Sequence, residues 1–158
     1  MERILAKLGR DGVTDTSAFD MESMVPVPWA PVFDSALVHV QRWMHGGPPP
    51  PSQLPIVVQG EPPRILRDVD GNAVGGVRVP EMEVAISRNV GALEDAEGRG
   101  LMGLWSALPS EVLHARYPDK DAYVAAYRSA ADAAVADGVL RPHDADEGAR
   151  GVQSLRWA

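Results

Sequence analysis

Apolar residues recur with helical spacing in the first half of the chain. Between residues 31 and 45 they repeat every three or four positions, at Phe33, Leu37, Val40 and Met44. This spacing places them on one side of a helix. Pro31 suits the first helical position, and Gly46 follows the last turn. The pattern predicts an amphipathic helix over residues 31–45 that buries a broad apolar face.

A second helical pattern covers residues 120–137. Asp119 is suited to cap its start, and Gly138 is suited to end it. One face carries aromatic and small residues: Tyr123, Tyr127, Ala130, Ala131 and Ala134. The alanines would let another element approach closely. Shorter helices are predicted over residues 2–8, 111–116 and 144–150.

The segment between the two long helices shows strand and turn patterns. Short strands are predicted over residues 56–58 and 82–86. Asp70-Gly71 separates two apolar runs and predicts a hairpin with a two-residue turn, because such turns need positive φ. Gly75-Gly76 indicates a bulge or a close backbone approach. Residues 88–108 are predicted to form a loop.

Two further segments have distinctive composition. The run Pro48–Pro51 predicts an extended spacer, since the alternative, an SH3-type ligand, lacks flanking basic residues. Within the predicted loop, Leu101–Trp105 forms an apolar island that should pack on the core. Trp29, Trp43, Trp105 and Trp157 are interpreted as core or interface anchors.

Composition narrows the class of protein. The 158 residues are 45% hydrophobic and carry a formal charge of −7, which suits one domain and disfavours nucleic acid and anionic membranes as partners. The chain has no cysteine, which excludes disulfides, thiolate zinc sites and a cysteine nucleophile. It has no apolar run of membrane-spanning length and no signal-like N-terminus. These features predict a soluble, cytoplasmic protein, and the predicted elements make it an α+β protein with amphipathic helices and a small antiparallel β-hairpin region.

The candidate chemistry is weak. Of the four histidines, His39 is predicted to be a partly exposed surface residue, His45 lies where a helix dipole favours it, and His114 has only Ser106 and Ser110 as nearby hydroxyls. A self-sufficient enzyme that uses His114 is a minor hypothesis, beside the two hypotheses given at the end of this section. No catalytic, cofactor or metal residue is assigned.

Two acidic groupings invite a metal interpretation. Asp68, Asp70 and Asn72 alternate like the first ligands of a calcium loop, but Ala73 and Val79 stand where that loop needs its glycine and glutamate. A hairpin turn is the preferred interpretation. The C-terminal group is interpreted as a solvated acidic tail; it comprises His143, Asp144, Asp146 and Glu147.

Several motifs resemble one family. Arg42-Trp43 followed by Gly46–Pro50 resembles the "RW…G-PPP" join of a bacterial α/β-hydrolase-domain family, and Arg67–Pro80 resembles its "RD-GNA-GG-R-P" signature. Further similarity lies at Arg116–Pro118 with Ala122–Val124, and at Ala133, Gly138 and Leu140. The resemblance covers roughly residues 35–142, and the first 34 residues match nothing recognisable.

The resemblance implies ester or related acyl hydrolysis, and it implies that this region is the C-terminal part of a longer protein. The implied organisation is a poorly defined N-terminal segment (residues 1–30), the family's C-terminal region (residues 31–142) and an acidic tail (residues 143–158). A shortened gene, a wrongly chosen start or a split protein would each look like this.

The sequence departs from the family in its chemistry. None of its nine serines lies in Gly-x-Ser-x-Gly, the strained turn that exposes a hydrolase nucleophile, and no histidine precedes residue 39. The first hypothesis is therefore an accessory portion of an α/β-hydrolase-like protein that is inactive alone. The second is a binding or assembly module. Its exposed apolar face would be the stripe at Phe33, Leu37, Val40 and Met44 or the island at Leu101–Trp105, and its partner a second copy or a separate catalytic portion.

Overall fold

The computed structural model describes residues 27–90 and 104–157. These residues have a mixed α+β architecture of five helices and two small antiparallel two-stranded sheets. In chain order the elements are α1 (Ala30–Met44), β1 (Val58–Gln59), β2 (Arg64–Ile65), α2 (Pro80–Glu83), β3 (Ser87–Val90), β4 (Leu104–Ala107), α3 (Ser110–Arg116), α4 (Lys120–Ala136) and α5 (Pro142–Gln153). The predicted helix over residues 2–8 lies outside the described residues.

Helices α4 and α5 form the centre of the core. The Asp119 carboxylate accepts a hydrogen bond from the Ala122 amide at 2.8 Å and caps α4, as the sequence predicts. Ala131 is completely buried, and Gly148 faces the Tyr127 ring so closely that a β-carbon there would lie 2.5 Å from the hydroxyl. Small residues on both helices therefore permit the close approach that the alanine face predicts.

The segment expected to be an acidic tail contributes to this core instead. Residues 142–153 form α5, which buries Ala145, Ala149 and Val152 against α4. The prediction of a solvated tail is wrong because these apolar positions repeat every three or four residues between the acidic ones. The weak helix predicted over residues 144–150 is present and is longer than expected. Whether residues 1–30, 31–142 and 143–158 behave as separate units stays a prediction.

An aromatic cluster closes one side of the core. The rings of Tyr117 and Tyr123 meet edge to face with centroids 5.1 Å apart, and Trp157 stacks on Tyr123 at 5.4 Å. Trp157 thus has the role of a core anchor that the sequence predicts. The Tyr127 hydroxyl donates to Glu81 Oε1 at 2.5 Å, which ties α4 to α2. Burial raises the pKa of Tyr117, Tyr123 and Tyr127 above the usual tyrosine value.

These tyrosines predict a loss of stability in alkaline solution. The folded protein keeps their protons, whereas the unfolded chain releases them above about pH 10, so their contribution is present below that pH and decreases as the pH rises through the folded pKa values. The urea concentration at the midpoint of unfolding should decrease as the pH is raised from 9 to 11. Tyr127→Phe should flatten this dependence, and an unchanged slope in that variant would contradict the assignment.

The region between α2 and α3 differs from prediction. The strand predicted over residues 82–86 is wrong: Pro80 fixes φ at the first helical position, and the turn of helix α2 follows. The loop predicted over residues 88–108 is also wrong at both ends. There β3 and β4 pair antiparallel, from Ser87 opposite Ala107 to Val90 opposite Leu104.

The predicted hairpin is present, with a longer turn than expected. The Gly71 amide donates to the Asp68 carbonyl at 3.0 Å, and the Asp68 amide donates to the Asn72 carbonyl at 2.9 Å. Gly71 has φ of 83°. The loop therefore contains three residues, 69–71, and ends in a glycine bulge, in place of a two-residue turn at Asp70-Gly71.

The predicted close backbone approach at Gly75-Gly76 is confirmed. Both glycines have positive φ, and a β-carbon on Gly75 would collide with the Pro55 carbonyl oxygen. The Gly76 amide donates to the Leu54 carbonyl at 3.0 Å. Glycine is required here because a side chain would separate the two backbone segments.

Helix α1 has nearly its predicted bounds, but the face that it buries is not the predicted one. Its buried residue is Ser35, and Val32 packs against a small cluster that contains Ala134 and Leu140. The predicted apolar stripe points away from the rest of the described residues. The prediction that α1 buries this face is wrong for this chain. Among the described residues, no helix has both the length and the apolar character needed to cross a bilayer.

Candidate functional site

Histidines and serines are the residues from which an acyl-hydrolase site would be built. Ser35 and His39 are one helical turn apart on the inner side of α1. The Ser35 hydroxyl donates to the Gly138 carbonyl at 2.9 Å, and His39 Nε2 lies 3.0 Å from the same oxygen. A carbonyl oxygen only accepts, so Nε2 must carry the hydrogen. Both groups therefore satisfy the carbonyl that follows the C-terminus of α4.

The other histidines bond near their own positions. His45 Nδ1 lies 2.7 Å from the Gln41 carbonyl, and His114 Nδ1 lies 2.8 Å from the Ser110 carbonyl. His114 thus faces the Ser110 backbone and makes no hydrogen bond with its hydroxyl. His143 Nε2 lies 3.2 Å from Asp144 on the exposed start of α5. Within residues 27–90 and 104–157, no serine hydroxyl donates to an imidazole.

The signature segment, residues 67–80, is organised around a buried amide. Asn72 is fully buried, its Nδ2 donates to the Ser87 carbonyl at 2.9 Å, and its Oδ1 accepts from the Asn89 amide at 2.6 Å. The Asp68 carboxylate accepts a hydrogen bond from the backbone amide of Asn72 at 2.9 Å. Asn72 therefore fastens the hairpin turn to the first residues of β3.

Arginines hold the ends of the same segment. The guanidinium of Arg116 binds both carboxylate oxygens of Asp70, at 2.7 and 3.0 Å, and reaches the Ala85 carbonyl at 3.2 Å. The hydrogen bond to Asp70 raises the pKa of Arg116. Arg78 donates to the Met82 carbonyl at 2.8 Å and to Glu83 at 2.8 Å. The segment is thus clamped between α2, β3 and α3.

The hairpin interpretation of Asp68, Asp70 and Asn72 is confirmed by this geometry. Their oxygens accept hydrogen bonds from backbone amides or from Arg116, so the alternating acidic pattern serves the turn. No group of three or more histidine or acidic side chains in the described part of the chain is arranged to hold a metal ion.

The feature that does have the character of a site is the outer face of α1. It consists of large apolar side chains that are all exposed, by between 41% and 78%: Trp29 (75%), Phe33 (54%), Leu37 (51%), Val40 (41%), Trp43 (55%) and Met44 (78%). Trp29 and Phe33 contact each other edge to face at 6.2 Å. At 100° per residue, the face spans an arc of about 120°. That is the width of a helix surface normally buried in a core.

The second predicted apolar face is only partly visible. Leu101 and Met102 of the predicted island lie outside the described residues. Trp105 is half-buried, and its indole Nε1 is buried without a hydrogen-bond partner. Its role as a core or interface anchor stays a prediction.

Sequence reasoning identified the outer face of α1 and the hairpin, but it missed what joins them to the fold. The cap formed by Ser35 and His39 was not foreseen, because it spans about a hundred residues of chain. The role of Asn72 was also missed. No local signal pointed to it, because asparagine in a turn usually bonds backbone about two residues away, whereas the partners of the Asn72 side chain lie 15 and 17 residues further along the chain.

The family described as Alpha/beta hydrolase domain matches residues 5–150. The match begins well before residue 35, so the expectation that the first 34 residues lie outside the resemblance is wrong. No curated protein and no solved structure matches the chain. With 146 of 158 residues matched, the chain belongs to the α/β-hydrolase-domain family.

Proposed function

We propose that this chain is a non-catalytic portion of an α/β-hydrolase-domain protein and does not hydrolyse esters by itself. The family match supports a hydrolase-like role. The observation that carries the proposal is that the best-placed serine and histidine, Ser35 and His39, are both occupied by the Gly138 carbonyl. The two residues are therefore not arranged as a nucleophile and its general base, because in such a pair the hydroxyl donates a hydrogen bond to the imidazole.

The sequence supports the same proposal. It has no Gly-x-Ser-x-Gly motif, so it offers no nucleophile elbow with the adjoining backbone donors of an oxyanion hole. The motifs at residues 42–140 resemble the C-terminal part of bacterial family members. In such a protein the portion would flank the catalytic sheet and help to shape the substrate entrance. The bacterial source, the C-terminal position and a cytoplasmic location all belong to this proposal.

The proposal is tested by covalent labelling. The purified chain is incubated with a fluorophosphonate, which reacts with activated serines, and its intact mass is measured beside that of a known serine esterase. We expect no adduct on the chain and complete labelling of the control. Stoichiometric labelling of one serine in the folded chain, lost after denaturation, would contradict the proposal.

A second role, assembly, is favoured by the outer face of α1. A contiguous apolar surface that spans an arc of about 120° of a helix is uncommon on monomeric soluble proteins, and such a surface often marks an interaction site. The described residues contain no sheet on which this face packs. We therefore infer that the chain associates through α1. An apolar fluorescent dye should bind the dilute chain, and the absence of binding by a folded chain would count against an open face.

A further inference from the structure

We propose that the outer face of α1 pairs with the same face of a second copy of this chain, with the two helices antiparallel. The pairing deepens the assembly role proposed above and rests on it. A two-fold arrangement of this kind uses one surface twice, so the face must be complementary to itself.

The size of the face is sufficient for such pairing. Its three aromatic side chains are 54–75% exposed, and such a side chain buries about 150–250 Å² when fully covered, so together they offer roughly 350 Å² of apolar surface. The aliphatic members Leu37, Val40 and Met44 enlarge the patch toward the roughly 800 Å² per partner of an ordinary specific interface.

Charge does not oppose contact at this face, although the whole chain carries −7. The acidic residue of α1, Asp34, is turned to the side and bonds Arg141 at 3.2 Å. Arg42 lies on the far side of the helix, about 160° from the centre of the face. The outer face therefore has no charged member to be desolvated when a second copy covers it.

The order of side chains along α1 is complementary in the antiparallel direction. With the two-fold axis between Ala36 and Leu37, the small Ala36 of one copy faces Leu37 of the other. In the same register Phe33 faces Val40, and Trp29 faces Met44, whose thioether makes favourable contacts with aromatic rings. Spacings of four, three and four residues along Phe33, Leu37, Val40 and Met44 match the seam of paired helices.

Sedimentation equilibrium tests the pairing directly. We expect a reversible dimer of twice the 17.0 kDa chain mass, with a dissociation constant on the order of 10 μM. Leu37→Asp should raise that constant at least about 30-fold, because a charge would be buried without a partner. Val69→Asp is the matched control: Val69 is 98% exposed outside α1, and its variant should dimerise normally.

A cross-linking measurement keeps the proposal falsifiable if Leu37→Asp fails to fold. The chain has no cysteine, so a single introduced thiol reports only its own position. Ala36→Cys, beside the predicted axis, should form a covalent dimer with a short bifunctional maleimide. Ala125→Cys, on an exposed position of α4, should not.

The outcomes separate this inference from the proposals on which it rests. A monomer at all concentrations that still binds the apolar dye would overturn the pairing and leave an open face. A dimer that Leu37→Asp does not weaken, or in which Ala36→Cys does not cross-link, would place the interface elsewhere and also overturn the pairing. Fluorophosphonate labelling of a serine would contradict the non-catalytic role alone.

Discussion

Replacing Asn72 with alanine should lower the free energy of unfolding by about 3 kcal/mol. The Asn72 amide donates to the Ser87 carbonyl and accepts from the Asn89 backbone amide in a fully buried position. Removing the side chain leaves the Asn89 backbone amide without its acceptor and leaves the buried Ser87 carbonyl with only the longer hydrogen bond from Asn89 Nδ2 at 3.3 Å; a buried polar group that loses its partner costs about 1–3 kcal/mol, and the lost packing of the buried side chain adds to this. Urea unfolding followed by circular dichroism, at one fixed protein concentration, measures the change.

Asn89→Ala is the matched control for this prediction. The Asn89 side chain is half-buried and makes longer hydrogen bonds, at 3.1–3.4 Å, and its backbone amide would still bond Asn72 after the substitution. We expect a loss of about 1 kcal/mol. Equal losses in the two variants would show that Asn72 is not the residue that fastens the hairpin to β3.

Ala131→Leu should be the second severe change, lowering the free energy of unfolding by about 3 kcal/mol. Ala131 is completely buried in the cluster where α4 meets α5. Three added carbon atoms would have to displace α5, and overpacking of this kind typically costs about 1–3 kcal/mol. The upper end is expected because Gly148 already brings the two helices close together.

The control for the helix contact is Ala133→Leu. Ala133 is exposed on the same helix, and leucine has nearly the helix propensity of alanine, so the stability should change by no more than about 0.5 kcal/mol. If Ala131→Leu were as harmless as Ala133→Leu, the close packing of α4 on α5 would be wrong.

The long helices could be predicted because their signals are local. The stop at Gly138 and the cap at Asp119 lie within one turn of the elements that they end. The hairpin and the need for glycine at residues 75–76 followed equally from local backbone requirements. The α+β class could be derived from these elements alone.

Features that depend on distant pairing could not be predicted. The strands β3 and β4 are joined by a segment rich in glycine, and each is only four residues long, so neither shows a clear alternation. The strand predicted over residues 82–86 failed because Pro80 starts a helical turn there. Periodicity also cannot say what covers a face, so α1 was expected to bury a stripe that the chain leaves in solvent.

The chemistry followed a similar division. The absence of a Gly-x-Ser-x-Gly motif is evident from the sequence. The structure adds where the histidine and serine side chains point. His39 was predicted to be a partly exposed surface residue, and it is half-buried with its ring directed at the Gly138 carbonyl. Only the fold could show that this histidine and Ser35 cap α4, because nothing local links residues 35 and 138.

Steady-state hydrolysis of p-nitrophenyl acetate tests the central claim most directly. The folded chain should release p-nitrophenol no faster than an equal concentration of its heat-denatured form. The same result is expected for the monomer and for the dimer. Saturable turnover by the folded chain that a serine-directed inhibitor abolishes would show an acyl-hydrolase site in this protein and would contradict the account.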